Sequence, residues 1–521
     1  MRFNKWLITL LLSVVGLLNL YHLGLNDIWQ PNEAFYAETA REILERGNWL
    51  DLTYNYEPRL NKPPMTYWLT AGSYKIFGIS EWTTRLTPLL SALFTALLLF
   101  YYGRKIKNAL TGLFAAVVFL TALQVFSLAR YDSPEMPLTF FLTGALVFYH
   151  LHLRERKTFF LLLSGIFLSA AILTKGIPFL AIFLGTIFLY HLLEDILSQS
   201  FNLLRLLKKM FKPLLVGFLA SLPTLGWYYY AYLHYGELFV QTFYSEVIHR
   251  AINPHKGFNW SFYLVVILWA FLPYSLHFYY SLLGYLLKKL KEEREFLFSL
   301  SWFLTTFGAF TVAKGKIPVY ILPAFGAMAI LTARLYDKTH RAINVLNAFV
   351  LVILVVAFVY ALFWLGFAED LLLWIVLFLS LALWAAVGGK HYLLRPAIAV
   401  IPILVLFTYK VLPWVEQYRP YKEVITELKD QYRDKKFVCL NWFFKDFPFY
   451  WRGKVYIIRS EEGLKKFDPE KVLLFTDKPL KGWKVVKKVE LYTGSESRFL
   501  VMLNDLKTHR RFKEFYFQIK E

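Results

Sequence analysis

The chain has 521 residues, of which 57% are hydrophobic and 19% aromatic, and a formal net charge of +21. That apolar content exceeds what the core of a water-soluble fold of this length needs, and it excludes an ordinary globular enzyme and a disordered chain. The excess Lys and Arg fall in short clusters between apolar runs, a pattern of membrane topology and not of nucleic-acid binding.

Taken in chain order, the apolar runs predict an all-α polytopic membrane protein with about thirteen spans: 7–25, 82–103, 109–127, 136–152, 158–173, 176–193, 213–232, 260–286, 296–313, 318–334, 343–366, 371–388 and 396–414. Most suffice to cross a hydrocarbon layer of roughly 30 Å at about 1.5 Å per residue. The first lacks a small-residue cleavage site and reads as a retained span. Residues 60–79 compete as a span, but Lys62-Pro63-Pro64 and the modest length favour a re-entrant or interfacial helix.

One set of loops holds Arg104, Lys105 and Lys107, then Arg154, Arg156 and Lys157, then Arg205, Lys208, Lys209 and Lys212, with further clusters near 288–294 and 334–341. The other set holds only Arg130, Lys175, Arg250, Lys256, Lys314 and Lys316. The positive-inside rule places the rich set in the cytoplasm. An odd number of spans then puts the C-terminal tail outside. We therefore expect a membrane domain over 1–416, with a long outer loop at 26–81, and a small soluble α/β domain over 417–521. In that tail a helix is predicted near 420–433, followed by strands in KFVCLNWF, KVYIIRS, KVLLFTD and SRFLVML. The single Cys439 excludes an intramolecular disulfide and a cysteine-based metal site.

The outer loop opens with WQPNEAFYAETAREILERGNW. Asn32 suits an N-cap, Glu33 a helix N-terminus and Gly47 a helix stop. Phe35, Tyr36, Ile43 and Leu44 form an apolar stripe, so an amphipathic interfacial helix is expected. Further polar groups recur on the same predicted face: Lys62 in LNKPPMTYW, Arg130, Asp132 and Glu135 in ARYDSPEMPL, Lys175 in LTKG, Glu246, His249 and Arg250 in YSEVIHR, His255 beyond it, and Lys314, Lys316 and Tyr320 in AKGKIPVYILP. Each alone reads as a snorkelling or capping side chain. Ionisable groups near membrane depth are costly, however, and gather where they line a functional cavity. Lys62, Lys175, Arg250, Lys314 and Lys316, with the Tyr320 hydroxyl, have the chemistry to hold a phosphate leaving group. Glu33, Asp132 and Glu135 are candidate acids or bases.

In this order the motifs resemble the multi-span glycosyltransferases that include the lipid A aminoarabinose transferases and the protein O-mannosyltransferases. The resemblance rests on WQPNEAFYAETAREIL, LNKPPMTYW, LTKG and AKGKIPVYILP and runs through most of residues 26–325. It implies a bundle of about thirteen helices of the GT-C type, interfacial helices in the first outer loop and a periplasmic C-terminal domain. It also implies a polyprenyl-phosphate-sugar donor, with Lys62, Lys175, Arg250, Lys316 and Tyr320 on its phosphate side. The acceptor is expected to be an envelope lipid such as lipid A, reached at the outer face of the inner membrane. No cofactor is required, and a divalent metal is compatible but not indicated.

The chain departs from the family at Asn32, where an Asp-Glu pair is usual, and carries Asp132 as an acid three residues before Glu135. An amide accepts no proton at neutral pH, so either another carboxylate serves as base or the acceptor oxygen is already ionised. Transfer of galacturonic acid or mannose, to a core oligosaccharide or a protein hydroxyl, is the nearest alternative. A lipid-linked-sugar flippase is the alternative from another class, although neither an internal repeat nor a midplane helix break is evident.

Overall fold

A computed structural model describes residues 13, 15–17, 19–249, 259–289, 292–336, 341–367, 369, 374–375 and 393–520. Among them eight helices are long and apolar enough to cross a membrane: Glu81–Ile106, Glu135–Glu155, Thr158–Lys175, Pro178–Leu197, Leu203–Tyr235, Arg294–Val312, Ala342–Leu365 and Leu394–Glu416. Leu203–Tyr235 exposes Leu204, Leu207, Phe211, Leu214 and Phe218 along its length, a surface that suits only lipid.

Three predicted spans are interrupted. Residues 260–286 form two helices, Phe262–Ala270 and Ser275–Gly284, because Pro273 between them has no N–H for the helical ladder. Residues 318–334 begin as a tight 3-10 helix, Pro318–Ala324, and become α-helical only from Phe325 to Ala333. Residues 109–127 divide into Ala109–Leu120 and Leu123–Leu128. The predicted span 371–388, most of 7–25, and the site candidates Arg250 and His255 lie outside the described residues.

The chain forms two compact units. The first comprises 1–21, 60–66 and 87–406, the second 22–59, 67–86 and 407–521. The first unit is helical and packs one continuous apolar core in which Trp302, Tyr149, Tyr263 and Phe325 are fully buried. Gly326 has the Trp302 ring where a Cβ would stand, at 2.4 Å, so helix Phe325–Ala333 approaches its neighbour too closely for any larger residue.

The second unit combines residues 22–59 and 67–86 with an α/β fold. Its five-stranded sheet has the order β4-β3-β5-β7-β6, where β3 is Lys436–Leu440, β4 Val455–Ile458, β5 Val472–Thr476, β6 Trp483–Tyr492 and β7 Phe512–Lys520. β4, β3 and β5 are parallel, and β7 joins β5 and β6 antiparallel. The predicted helix is present as Tyr421–Gln431. SRFLVML, expected as a strand, is instead part of the helix Phe499–Lys507, which buries Met502, Asp505 and Leu506 at a spacing of three to four residues, as helical geometry requires.

The loop predicted at 26–81 contains the helix Asn32–Arg46, a two-stranded hairpin of β1 (Thr53–Tyr54) with β2 (Glu57–Pro58), and the helix Met65–Phe77. Gly47 ends the first helix in the left-handed region, φ 66°, as predicted. Asn32 is not its cap: Pro31 holds that position, no side chain caps it, and Asn32 is the first helical residue. Nor is the helix a surface amphipath. Glu33, Glu38, Arg41 and Glu42 are buried with its apolar residues, because the polar face is used up in contacts within the unit. Glu42 accepts hydrogen bonds from the Tyr56 N–H and the Thr53 hydroxyl, and Arg41 donates to Glu38 at 2.7 Å.

Candidate active site

Each motif of the first unit becomes a defined contact. Lys175 is the last residue of Thr158–Lys175. Gly176 follows at φ 98°, where the backbone turns toward Pro178–Leu197, and a Cβ there would lie 3.0 Å from the Tyr228 hydroxyl. Both constraints favour glycine after the lysine. The turn delivers the Lys175 ammonium to Glu135, 2.7 Å away, and over the face of Tyr320 at 4.6 Å. Glu135 opens the helix Glu135–Glu155, so its carboxylate also benefits from the free N–H groups of that terminus.

Lys316 lies at the other end of the same aromatic cluster. Tyr320 neighbours Phe310 at 5.8 Å, Phe310 neighbours Tyr263 at 6.2 Å, and the Lys316 ammonium is 5.9 Å from the Tyr263 ring. Lys316 donates to the carbonyls of Phe310, Thr311 and Ala313 at 3.3, 2.5 and 2.7 Å. A cation thus closes the C-terminal end of helix Leu297–Val312, where unsatisfied carbonyls carry partial negative charge. Partial burial holds the Lys316 ammonium pKa below the ordinary lysine value. Lys314, two residues earlier, has no ion pair among the described residues.

Lys62 donates to Glu246 at 2.6 Å, and the Asn61 amide reaches the same carboxylate at 3.3 Å. Glu246 sits in a widened helical turn, Tyr244–His249, which ends with His249 exposed. Asp132 is fully buried in the first unit, and Arg130 beside it donates to the Asn19 carbonyl at 2.8 Å. The first unit therefore gathers Glu135, Lys175, Tyr320 and Lys316 on one aromatic cluster, and separately joins Lys62 to Glu246.

Asn32, Glu33 and Tyr36 belong to the second unit. Tyr36 stacks on Tyr67 at 4.8 Å. Glu33 accepts from Arg85 Nε at 2.9 Å, Arg85 Nη2 at 2.8 Å and the Trp29 N–H at 2.8 Å. Arg85 is one of the residues that sequence reasoning missed. It lies within a predicted span, WTTRLTPLL, and a buried charge there was itself a signal that a partner carboxylate existed. Asn61 was missed beside Lys62, and Arg419 because nothing in RPYKEV matches a motif.

Chemically, lysines paired with carboxylates or helix carbonyls are cations whose present partners can give way to phosphate oxygens. Among the described residues no group of three His, Cys, Asp or Glu side chains is disposed to hold a metal ion.

The family model "Dolichyl-phosphate-mannose-protein mannosyltransferase" matches residues 5–239. An uncharacterized protein of Aquifex aeolicus (strain VF5) is 36% identical over 516 residues, covering 97% of this chain and 98% of its own. The undecaprenyl phosphate-alpha-4-amino-4-deoxy-L-arabinose arabinosyl transferase of Pectobacterium atrosepticum is 31% identical over 345 residues. That match covers 62% of this chain and 58% of the relative, so the similarity spans little more than half of its length. Among solved structures, ArnT from Cupriavidus metallidurans bound to undecaprenyl phosphate superposes with a TM-score of 0.75 at 19% identity, over 99% of this chain and 98% of that one, a likeness of fold.

Proposed function

We propose that the chain, which resembles the multi-span GT-C glycosyltransferases of the aminoarabinose-transferase and protein-mannosyltransferase type, transfers a sugar from a polyprenyl phosphate to an envelope lipid such as lipid A. The observation that carries this reading is the cluster of Lys175, Glu135, Tyr320 and Lys316. The acceptor oxygen bonds to the anomeric carbon from one face while the bond from that carbon to the donor phosphate oxygen breaks on the other, inverting the centre. The electron pair leaves with the phosphate, whose growing charge Lys175, Lys316 and Lys62 neutralise, with Arg250 and Lys314 as further donors. No cofactor is needed for that neutralisation. Where the acceptor is a hydroxyl, Asp132 or Glu135 takes its proton. Where it is a lipid phosphate, no base is needed, which accommodates Asn32. Glu33, already bound by Arg85, serves to hold the outer loop.

Thirteen spans, with the active site, the outer loop and the 417–521 domain on the periplasmic side of the inner membrane, complete the reading. The skewed distribution of Lys and Arg among the loops supports that orientation. The test is purified protein in proteoliposomes with undecaprenyl-phosphate-linked aminoarabinose and lipid A. The expected result is acceptor heavier by one aminoarabinose residue. Transfer only from a galacturonic acid or mannose donor would replace the sugar. Donor crossing the bilayer without any transfer would overturn the enzyme reading in favour of a flippase.

A further inference from the structure

The second unit interlocks two stretches of chain that are far apart in sequence. Asn26, Asp27, Ile28 and Gln30, the residues leading into the Asn32-Glu33 motif, are each hydrogen-bonded to the segment 412–496. The Asn26 amide donates to the Leu412 carbonyl at 3.0 Å, and the Asp27 N–H donates to Glu416 at 2.9 Å. The Ile28 N–H donates to the Tyr450 hydroxyl at 2.8 Å, and the Gln30 N–H donates to Glu496 at 2.7 Å. Trp29, whose own N–H goes to Glu33, is covered instead by a cation: the Arg419 guanidinium lies 4.0 Å from its ring.

Arg419 is 1% exposed, and every nitrogen of its fork is used. Nε and Nη2 bind Glu496 at 2.9 and 3.0 Å, Nη1 reaches Glu416 and the Asp27 carbonyl at 3.2 Å, and Nη2 also donates to the Ile28 carbonyl at 3.0 Å. One planar group therefore fixes two successive carbonyls and the next indole. Lysine, with a single nitrogen, cannot reproduce this.

We infer that Arg419, braced by Glu496, is a positioning residue that fixes residues 27–30 and, through them, the Asn32-Glu33 motif within the second unit, an order on which the proposed transfer depends. The segment 412–496 is thereby the mould in which residues 26–30 are cast. Arg419 acts through residues 27–30 and not on a reacting atom, and small misplacements of such a segment cost rate far more than affinity.

The part of this inference that concerns transfer rests on the proposed activity, so the test has two arms. In the first, hydrogen exchange of the full-length detergent-solubilised protein is compared among wild type, Arg419→Lys, Glu496→Gln and Asn55→Gly. The last is a control, since Asn55 exchanges two 2.8 Å hydrogen bonds with Val455 in the same unit and has no hydrogen bond to residues 27–33 among the described residues. Its φ of 54° suits glycine. Arg419→Lys and Glu496→Gln should speed exchange at 27–33 and leave 436–440 protected, while Asn55→Gly should leave 27–33 unchanged. Unchanged exchange at 27–33 in both clamp variants overturns the inference, whatever the activity. If Arg419→Lys fails to accumulate, Glu496→Gln decides alone.

In the second arm, transfer from undecaprenyl-phosphate-linked aminoarabinose is measured for the same set. The clamp variants should lose about 10- to 100-fold in kcat at little-changed donor KM, with Asn55→Gly near wild type. Loss of rate in Asn55→Gly equal to that in Arg419→Lys would mean a merely structural clamp and would overturn the positioning role. An inactive wild type would refute the proposed activity and leave the exchange result to judge Arg419.

Discussion

Arg85 grips Glu33 through two nitrogens, at 2.9 and 2.8 Å, and spends its remaining donors on the carbonyls of Leu23, Asn26 and Asp27. Both side chains are almost fully buried, at 2% and 0% exposure. The pair is therefore a fixed joint of the second unit, and removing one partner takes the counter-charge from the other.

Arg85→Ala should be the more damaging single change, because it takes the cation from the buried Glu33 carboxyl and the donor from three backbone carbonyls. A loss of about 3–5 kcal/mol is expected, seen as a lower midpoint in thermal unfolding of the solubilised protein. Glu33→Gln, which keeps shape and one acceptor, should cost less. If Glu33 were the general base, Glu33→Gln would instead abolish transfer at unchanged stability.

Lys175 should matter as a cation facing phosphate. Lys175→Gln should lower kcat by about 10²- to 10³-fold, the loss typical of one transition-state donor. Tyr320→Phe should retain most activity if the ring face is what holds Lys175, whereas Tyr320→Leu should not. Full activity in both Asp132→Asn and Glu135→Gln would eliminate a protein base and point to an acceptor oxygen that is already ionised.

Stability of the second unit should fall as pH rises. Burial and the neighbouring Glu416 push the Asp27 carboxyl up to about 8, and burial pushes Glu38 up to about 8 despite Arg41. Asp446, fully buried and without a hydrogen-bond partner for either carboxyl oxygen among the described residues, is pushed well above the ordinary range. Each binds its proton more tightly folded than unfolded. The contribution of Asp27 and Glu38 is therefore complete below about pH 4 and is lost as pH rises through about 8, and that of Asp446 is likewise lost as pH rises through its raised pKa. Asp446→Asn should flatten that dependence in unfolding curves recorded at several pH values, and a mutant curve parallel to wild type would remove Asp446 as its source.

Cys439 is fully buried on β3, and burial raises its thiol pKa, so it should resist alkylation in the folded protein. Leu500→Cys, at a side chain 80% exposed, then gives a single reactive thiol in a quiet background. A membrane-impermeant maleimide added to intact cells with a permeabilised outer membrane should label it. Labelling only after the inner membrane is opened would invert the proposed topology.

Length and hydropathy sufficed for most of the long helices, since a lipid-facing surface leaves an unbroken apolar record. They failed where backbone geometry intervened, as at Pro273 and in the 3-10 turn at Pro318, because a proline break changes the ladder without changing composition. Lys175 and Lys316 stand out in their motifs, but the carboxylate and the helix end that hold them are tertiary facts. The Arg419 clamp was invisible because its partners, Asp27, Ile28 and Glu496, have no periodic relation to it. SRFLVML shows the same limit locally: a short apolar run does not declare its period until its flanks are included.

The interlocked second unit also bears on how the chain is made. Ile28 and Tyr450, which share a hydrogen bond, are 422 positions apart. At about 5–20 residues per second, roughly 20–80 s of synthesis separate them. Throughout that interval the outer loop has emerged without the surface that orders it. Translation stalled before Arg419 would yield a chain in which residues 26–30 lack the partners that hold them, although Arg85 and Glu33 could already pair.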